Sequence, residues 1–228
     1  MKNPVSVLYM AFALLFSSCL IIANIVEQKL ISIGPIEATA GLLIFPISYI
    51  VNDVIVEVWG FKKARLVIWG GFAMNFLAVL IFHLSIFVPG SVNFSPEHQS
   101  AFSLVLGNTL RISAASFVAF LCGSFVNAYV MSKMKIWSKG KGFSLRAVVS
   151  TLFGEGCDSV VFFSIAFSGV IPARDLVILI FTQMSMKTGY EILVLPLTNW
   201  VVKKVKEKEH TDTFDTNVSY NPLKISDL

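Results

Sequence analysis

Charged residues are scarce in this chain, and their scarcity sets its class. Only 14% of the 228 residues are Asp, Glu, Lys or Arg, whereas 55% are hydrophobic. This balance is too apolar for an ordinary soluble domain, and the mean hydropathy of +0.75 points the same way. The net charge of +4 is explained by basic loops beside lipid headgroups. We therefore expect a lipid bilayer as partner and no nucleic acid.

Motifs for metal binding and nucleophilic catalysis are also missing. Cys19, Cys122 and Cys157 form no C-x-x-C pair, and the three histidines lack zinc-site spacing. The sequence has no G-x-S-x-G elbow, no H-E-x-x-H motif and no Gly-rich phosphate loop. We expect no metal and no cofactor, and the chain is not predicted to be an enzyme.

Long apolar runs are what the chain has in abundance. A helical crossing of the hydrocarbon core needs ~20 apolar residues, and the backbone within lipid must satisfy its own hydrogen bonds. Continuous rather than alternating runs indicate helices. The sequence predicts an all-α, polytopic bundle of six transmembrane helices within residues 1–206, at Val5–Val26, Ala38–Val58, Leu66–Val88, Ile112–Met131, Ala147–Ile171 and Leu176–Val202.

Basic residues predict the orientation of these helices. With the amino terminus in the cytoplasm, fourteen of the 18 Lys and Arg residues fall on the cytoplasmic side, as the positive-inside rule requires. Both termini are then cytoplasmic. Three helices precede and three follow the middle of the bundle, so two inverted three-helix halves are compatible with this topology. Residues 207–228 are predicted to be a mobile cytoplasmic tail without a function of its own.

Ionisable side chains interrupt the second apolar run. A charge at the centre of a membrane helix costs at least ~2.5–3.5 kcal/mol, so such residues indicate a functional polar site. Asp53 and Glu57 are four residues apart and share a helical face, and Pro46 is expected to kink the helix before them. Glu57 is nearer the cytoplasmic end and is expected to pair with nearby basic residues, namely Lys62, Lys63 or Arg65. Asp53 lies deeper and is expected to be functional.

The fifth and sixth runs carry the other ionisable groups. Ser150, Gly154 and Asp158 recur every four residues and form a small, polar stripe that would let a helix or a flat ligand approach closely. A packing stripe in which Asp158 pairs with Lys187 is the alternative. Lys187 and Glu191 are also four residues apart, and either an ion pair between them or separate roles across the bundle fits that spacing.

Taken in order, these motifs resemble a known family. The residues that carry the resemblance are Ala23-Asn24, Phe45-Pro46, Asp53, Glu57, Gly60, Ala64-Arg65, Arg111, Ala115-Ser116, Ser150-Thr151, Gly154, Asp158, Phe163, Ala166-Phe167, Gly169, Lys187 and Pro196. The pattern resembles the queuosine precursor transporters, a vitamin-uptake-like family of six-helix membrane proteins. Glu155 departs from the amide expected at its position, and Ser159 replaces a threonine.

The resemblance implies import of a small molecule, a deazaguanine base in its cyano or aminomethyl form, for the queuosine of transfer RNA. It also implies the inner membrane of a bacterium. Asp158 would bind the guanine-like edge of the base, and Asp53 would be a second anchor or proton carrier. Lys187 would donate to the ring carbonyl or hold a carboxylate in place. Glu155 would favour a cationic base. The other candidate site residues are Asn24, Tyr49, Ser150, Gly154, Phe163, Phe167 and Glu191.

Two other functions remain open from the sequence. One is a substrate-binding subunit of an ATP-driven vitamin uptake system. The other is an intramembrane aspartyl enzyme that uses Asp53 and Asp158. Gly154 to Asp158 is one residue too long for the G-x-G-D motif of that class, which turns the carboxylate by about 100° around the helix. Faces of small residues would also permit a homodimer.

Overall fold

The computed structural model describes residues 6–26, 29–33, 36–107 and 110–224. Its elements are the helices and strands α1 (Val7–Val26), β1 (Leu30–Ile33), β2 (Ile36–Thr39), α2 (Phe45–Phe87), α3 (Pro96–Leu106), α4 (Leu110–Trp137), α5 (Phe143–Phe167) and α6 (Ala173–Glu209). A 3₁₀ turn, Ala40–Leu43, joins β2 to α2. In this part of the chain, four helical stretches are long and apolar enough to cross a membrane, at Val7–Val26, Ile47–Phe87, Phe143–Phe167 and within residues 96–137. The predicted helical membrane character is thus confirmed.

The second and third predicted runs do not form two separate elements in the described residues. Both lie in α2, whose 43 residues are two helical parts joined across a kink, where only Gly60 leaves the helical path, with φ 82° and ψ 171°. A β-carbon at Gly60 would lie 2.6 Å from Asp215 Oδ1. The positive φ and the close contact both require glycine there. The apolar pattern did not predict how short the junction between the two parts is, because the basic residues after Gly60 resemble a loop between two helices.

The start of α2 differs from the prediction in two ways. Residues 38–43 belong to an antiparallel hairpin, in which Leu30 pairs with Thr39, and to the 3₁₀ turn that follows it. Pro46 lies in the first turn of α2. The missing amide hydrogen of proline is harmless in a first turn, so Pro46 starts the helix instead of kinking it.

The interior of the bundle combines an apolar core with buried charges, and much of its outer surface is apolar. Asp53, Glu57, Arg146, Glu155 and Glu191 are each at most 1% exposed. Large apolar side chains point outward, among them Met74, Phe76, Phe153, Phe181 and Leu193. Such an apolar outer surface is stable when lipid surrounds the protein, because apolar surface loses nothing in hydrocarbon.

Two glycines bring α4 and α5 into close contact. A β-carbon at Gly123 would lie 2.8 Å from Asp158 Cβ, and one at Gly154 would lie 2.7 Å from Asn127 Cβ. Gly154 therefore serves as a packing residue of the predicted small stripe. Ala115 and Ala119, on the same helix as Gly123, are also buried within the chain. These small-residue faces are already covered by the chain's own helices.

The carboxyl-terminal segment, residues 210–224, packs against the break in α2. Thr213 N donates to Val58 O at 3.1 Å, and Asp215 Oδ2 accepts from Phe61 N at 2.8 Å. The break at Gly60 takes backbone groups on both of its sides, Val58 O and Phe61 N, out of the helical hydrogen-bond pattern. The carboxyl-terminal segment supplies their partners. Asp215 is 5% exposed. This packing differs from the predicted mobile tail, and the predicted boundary after residue 206 falls inside the last turn of α6.

Candidate functional site

A polar cavity opens between α1, α2, α4, α5 and α6. Its empty space, with the open solvent at the mouth included, is about 960 Å³. Aromatic walls come from Phe16, Phe120, Phe162 and Phe163. The polar groups that line it are Asn24, Ser48, Tyr49, Asn52, Asn75, Ser116, Ser124, Asp158, Ser159, Gln183 and Lys187. Walls of rings with a few polar groups suit a flat, polar ligand.

The charged part of the cavity is a cluster of three residues, Glu155, Asp158 and Lys187, which we call the cavity cluster. Lys187 Nζ lies 2.7 Å from Glu155 Oε2 and 3.4 Å from Asp158 Oδ2. Glu155 and Asp158 are three residues apart on α5 and share a face, so one lysine of α6 meets both. The side chain of Glu155 is 2% exposed, whereas those of Asp158 and Lys187 are 19% and 14% exposed. Asp158 and Lys187 therefore face the open space, with Glu155 behind them.

The charge of the cavity cluster does not balance. Two carboxylates face one ammonium, so the ionised cluster carries a surplus negative charge. The Tyr49 hydroxyl is also hydrogen-bonded to Glu155. A ligand that brings a positive charge, or several hydrogen-bond donors, would complete the cluster.

The two predicted phenylalanines have different positions. Phe163 lines the cavity and its ring stacks on that of Phe167, with centroids 5.8 Å apart and planes inclined by 28°. Phe167 is not among the described lining residues. It supports the ring of Phe163 instead of offering its own face to a ligand.

Side-chain amides form a part of the site in which the sequence analysis had identified only Asn24. Asn24 Nδ2 donates to Asn75 Oδ1 at 2.6 Å, and Asn52 Nδ2 donates to Asn127 Oδ1 at 2.8 Å. Asn52, Asn75 and Gln183 line the cavity. Ser48 and Asn52 are four residues apart on α2, so a polar pair with helical spacing inside an apolar run was a usable signal.

Six predicted site residues lie outside the described cavity lining, namely Asp53, Ser150, Gly154, Glu155, Phe167 and Glu191. Ser150 Oγ donates to Ala147 O at 2.9 Å, and Gly154 packs on Asn127. Asp53 is 0% exposed and Glu191 is 1% exposed. The cavity thus brings together Asn24, Tyr49, Asp158, Phe163 and Lys187 of the predicted set, with Glu155 attached through Lys187.

Asp53 and Asp158 have different neighbours. The charged groups that act on Asp53 are Glu191, Glu57 and Arg146, whereas Asp158 lies beside Lys187. An aspartyl enzyme needs two carboxyl groups that face each other across a substrate, but Asp158 lines the cavity while Asp53 is 0% exposed and outside its described lining. In the described residues, no group of three or more His, Cys, Asp and Glu side chains is placed to hold a metal.

A second charged cluster surrounds Glu57, and we call it the Glu57 cluster. Glu57 pairs with Arg146 at 2.5 Å and with Lys206 at 2.6 Å, and Lys135 Nζ lies 3.7 Å away. Lys135 and Lys206 also contact Asp212, at 2.5 and 2.8 Å. The expectation of basic partners for Glu57 is thus met by Arg146, Lys135 and Lys206. They differ from the predicted Lys62, Lys63 and Arg65, because α4, α5 and α6 converge on this side of α2.

Comparison with known proteins relates the chain to membrane transporters. The model of a family described as "Putative vitamin uptake transporter" matches residues 39–201. A "Probable queuosine precursor transporter" of Bacillus subtilis is 24% identical over 191 residues, 83% of this chain and 82% of the relative. A "Queuosine precursor transporter" of Escherichia coli is 31% identical over 147 residues, 64% of this chain and 62% of the relative. A similar protein of Haemophilus influenzae is 30% identical over 134 residues, 58% and 52% of the two chains. No solved structure matches the chain.

Proposed function

The chain belongs to the vitamin uptake transporter family, and on that premise we propose that it is a membrane transporter that imports a queuosine precursor. The observation that carries the proposal is the cavity cluster, an unbalanced group of charges that opens into a ring-walled cavity. Charged groups at membrane depth are costly and mark a substrate pathway. The names of the relatives at 24–31% identity give the substrate class.

A deazaguanine base matches the cavity group by group. Its guanine-like edge offers two neighbouring N–H donors, which suit the two oxygens of the Asp158 carboxylate. Lys187 would donate to the ring carbonyl, and Phe163 would stack on the flat ring. The surplus negative charge of the cavity cluster favours the aminomethyl form, because that form is cationic.

We propose six membrane crossings, from α1, the two parts of α2 on either side of Gly60, α4, α5 and α6. Both termini would then lie in the cytoplasm of a bacterium, with the protein in its inner membrane and basic ends on the inner side. The arrangement divides into two inverted halves of three crossings, which would rock about the cavity to expose it to either side. The homodimer has no support from the small-residue faces, since Ala115, Ala119 and Gly123 are buried within the chain.

The test is rescue of transfer RNA modification in cells that cannot make the base. Such cells would be given the base at low concentration, and queuosine in their transfer RNA would be measured with and without this protein. We expect rescue by the wild-type chain and none by Asp158→Ala. Asp175→Ala is the matched control, because Asp175 is an exposed acid at the start of α6. Failure of a correctly inserted wild-type chain to rescue would contradict the proposal.

The ATP-driven alternative is separated from this proposal by reconstitution. A transporter that works alone moves the labelled base into liposomes that contain only the purified chain. A substrate-binding subunit binds the base but moves it only after its ATPase partner is added. Uptake without a partner would exclude the alternative, and binding without uptake would favour it.

A further inference from the structure

Asp53 and Glu191 form a pair of buried acids that the cavity does not use. Asp53 is on α2 and Glu191 is on α6, and each is at most 1% exposed. Glu191 is the charged group that acts most strongly on Asp53. Neither oxygen of Asp53, nor Oε1 of Glu191, has a hydrogen-bond partner among the described residues. We call these two residues the acid pair.

The charges around the acid pair are already committed elsewhere. Glu57 and Arg146 also act on Asp53, but Arg146 is bound to Glu57 at 2.5 and 3.1 Å. Lys187 is one turn from Glu191 on α6 and contacts Glu155 and Asp158. From α4, the group beside Asp53 is the neutral amide of Asn127. Besides Glu191, Asp53 therefore has around it one bound cation, one further acid and one amide.

Two carboxylates cannot both remain ionised in such a place without a compensating positive charge. An unpaired buried ion costs several kcal/mol, and two like charges in one dry site add their repulsion. A proton shared by the pair removes one of the two negative charges, and it turns one acceptor into a donor. A protonated oxygen is then able to donate a hydrogen bond, which an ionised carboxylate cannot do.

The acid pair is linked to the cavity by a short bridge. Asn52, the residue before Asp53, lines the cavity and donates to Asn127 Oδ1 at 2.8 Å. Asn127 Nδ2 is buried and has no hydrogen-bond partner among the described residues. Protonation of the pair would change which groups Asn127 bonds to, and through Asn52 it would change the cavity wall. Each site would thereby bias the other.

We propose that Asp53 and Glu191 form a proton-binding site, and that a proton bound there moves inward together with the substrate. The proposal rests on the proposed function, since it deepens the transport of a deazaguanine base into proton-coupled transport. A proton from the outer side binds the pair while the base occupies the cavity. The loaded protein turns inward, and the proton leaves to the less acidic cytoplasm.

The experiment uses the full chain in proteoliposomes with a labelled aminomethyl deazaguanine base. Accumulation is measured with an inward proton gradient of one pH unit, and exchange of labelled for unlabelled base is measured without a gradient. One unit per proton supports about tenfold accumulation. We expect the wild-type chain to show this gain. In Asp53→Asn and Glu191→Gln, accumulation should fall to the level without a gradient, while exchange falls by less. Asp175→Asn is the control.

A second measurement works without any substrate. Infrared spectra of the purified chain at neutral pH should show a protonated carboxyl band that Asp53→Asn or Glu191→Gln removes and Asp175→Asn leaves. Absence of that band would overturn the proton site even if no uptake is seen, and lack of uptake alone would contradict the proposed function instead. Wild-type accumulation that ignores the proton gradient, or that follows a sodium gradient, would also overturn it.

Discussion

The cavity cluster and the Glu57 cluster are built from the same kinds of side chain, but they differ in closure. The acid of the Glu57 cluster is 1% exposed and shares three cations, whereas the cavity cluster has two acids, one cation and side chains up to 19% exposed. A closed cluster with surplus cations holds α2, α4, α5 and α6 together. An open cluster with a surplus acid leaves bonding capacity for a ligand. The contrast assigns stability to one region and recognition to the other.

Of the predicted changes, removal of Glu57, the central acid of the Glu57 cluster, should lower the stability of the folded protein most. Glu57→Ala leaves Arg146, Lys135 and Lys206 without their shared partner, and breaking a buried pair costs about 3–5 kcal/mol. We expect a low yield of folded protein and a large fall in melting temperature in detergent. Glu207→Ala is the control, because among the described residues Glu207 pairs only with exposed Lys204, at 3.3 Å, and such pairs contribute ~0–1 kcal/mol. Equal melting of the two variants would show that the Glu57 cluster does not hold the helices.

The same kind of change in the cavity cluster should affect binding rather than stability. Asp158→Asn keeps the size of the side chain but loses one acceptor of the proposed charged fork, which contributes about 1.5–3 kcal/mol. Ligand binding raises the melting temperature of the folded form, so the shift caused by the base should largely vanish. The melting temperature without the base should stay close to that of the wild type. A full shift in Asp158→Asn would remove Asp158 from the proposed contacts.

The carboxyl-terminal segment, which contacts Gly60, is a further region that we expect to contribute to stability rather than to recognition. Asp215 accepts from Phe61 N and from Ser132 Oγ, at 2.8 and 2.6 Å, and acts like the cap of the second part of α2. Loss of such a cap costs ~1 kcal/mol. We expect Asp215→Ala to lower stability by about that amount and to speed proteolysis after residue 209. Asn217→Ala, at an exposed position of the same segment, should change neither, and equal proteolysis of both variants would contradict the capping role.

The sequence predicted what depends on composition and missed what depends on distant contacts. Apolar runs identified the membrane helices, because hydrocarbon demands a long apolar stretch whatever its neighbours are. Asp158 and Lys187 were found because a charge stands out in such a run. Asn75 and Gln183 were missed, since neutral amides cost less in lipid and stand out less. Hydropathy cannot reveal that the two runs within α2 meet at a kink of one residue, Gly60.

Partners across the fold were beyond the sequence for the same reason. Glu57 binds Lys206, which is 149 residues away, and no local spacing rule indicates that pair. The prediction of a mobile tail considered composition alone. The break at Gly60 leaves backbone groups that need partners, and Thr213 and Asp215 supply them. The polar segment is therefore packed because Asp215 binds the backbone amide of Phe61, 154 residues earlier in the chain.

The smallest expected effect is a pH dependence at the edge of the Glu57 cluster. Burial alone would raise the pKa of Asp212, but hydrogen bonds from Lys135 and Lys206 outweigh it and hold that pKa below its usual value. A lowered folded-state pKa gives stability that is present above the unfolded value of about 4 and lost as the pH falls through the folded value. The side chain of Asp212 is 46% exposed, so solvent screening keeps the effect below ~1 kcal/mol.

Comparison of Asp212→Asn with the wild type isolates this contribution. At pH 7 the wild type should melt slightly higher, and near pH 3 the difference should shrink as the carboxylate takes up a proton. Asp175→Asn should show no such pH-dependent difference, because Asp175 is exposed and lies at the far end of α6. A difference that is constant from pH 7 to pH 3 would mean that Asp212 acts through packing and not through its charge. Packing, and not charge, would then close the Glu57 cluster at Asp212. The electrostatic difference between this cluster and the cavity cluster would in that case depend on Glu57 alone.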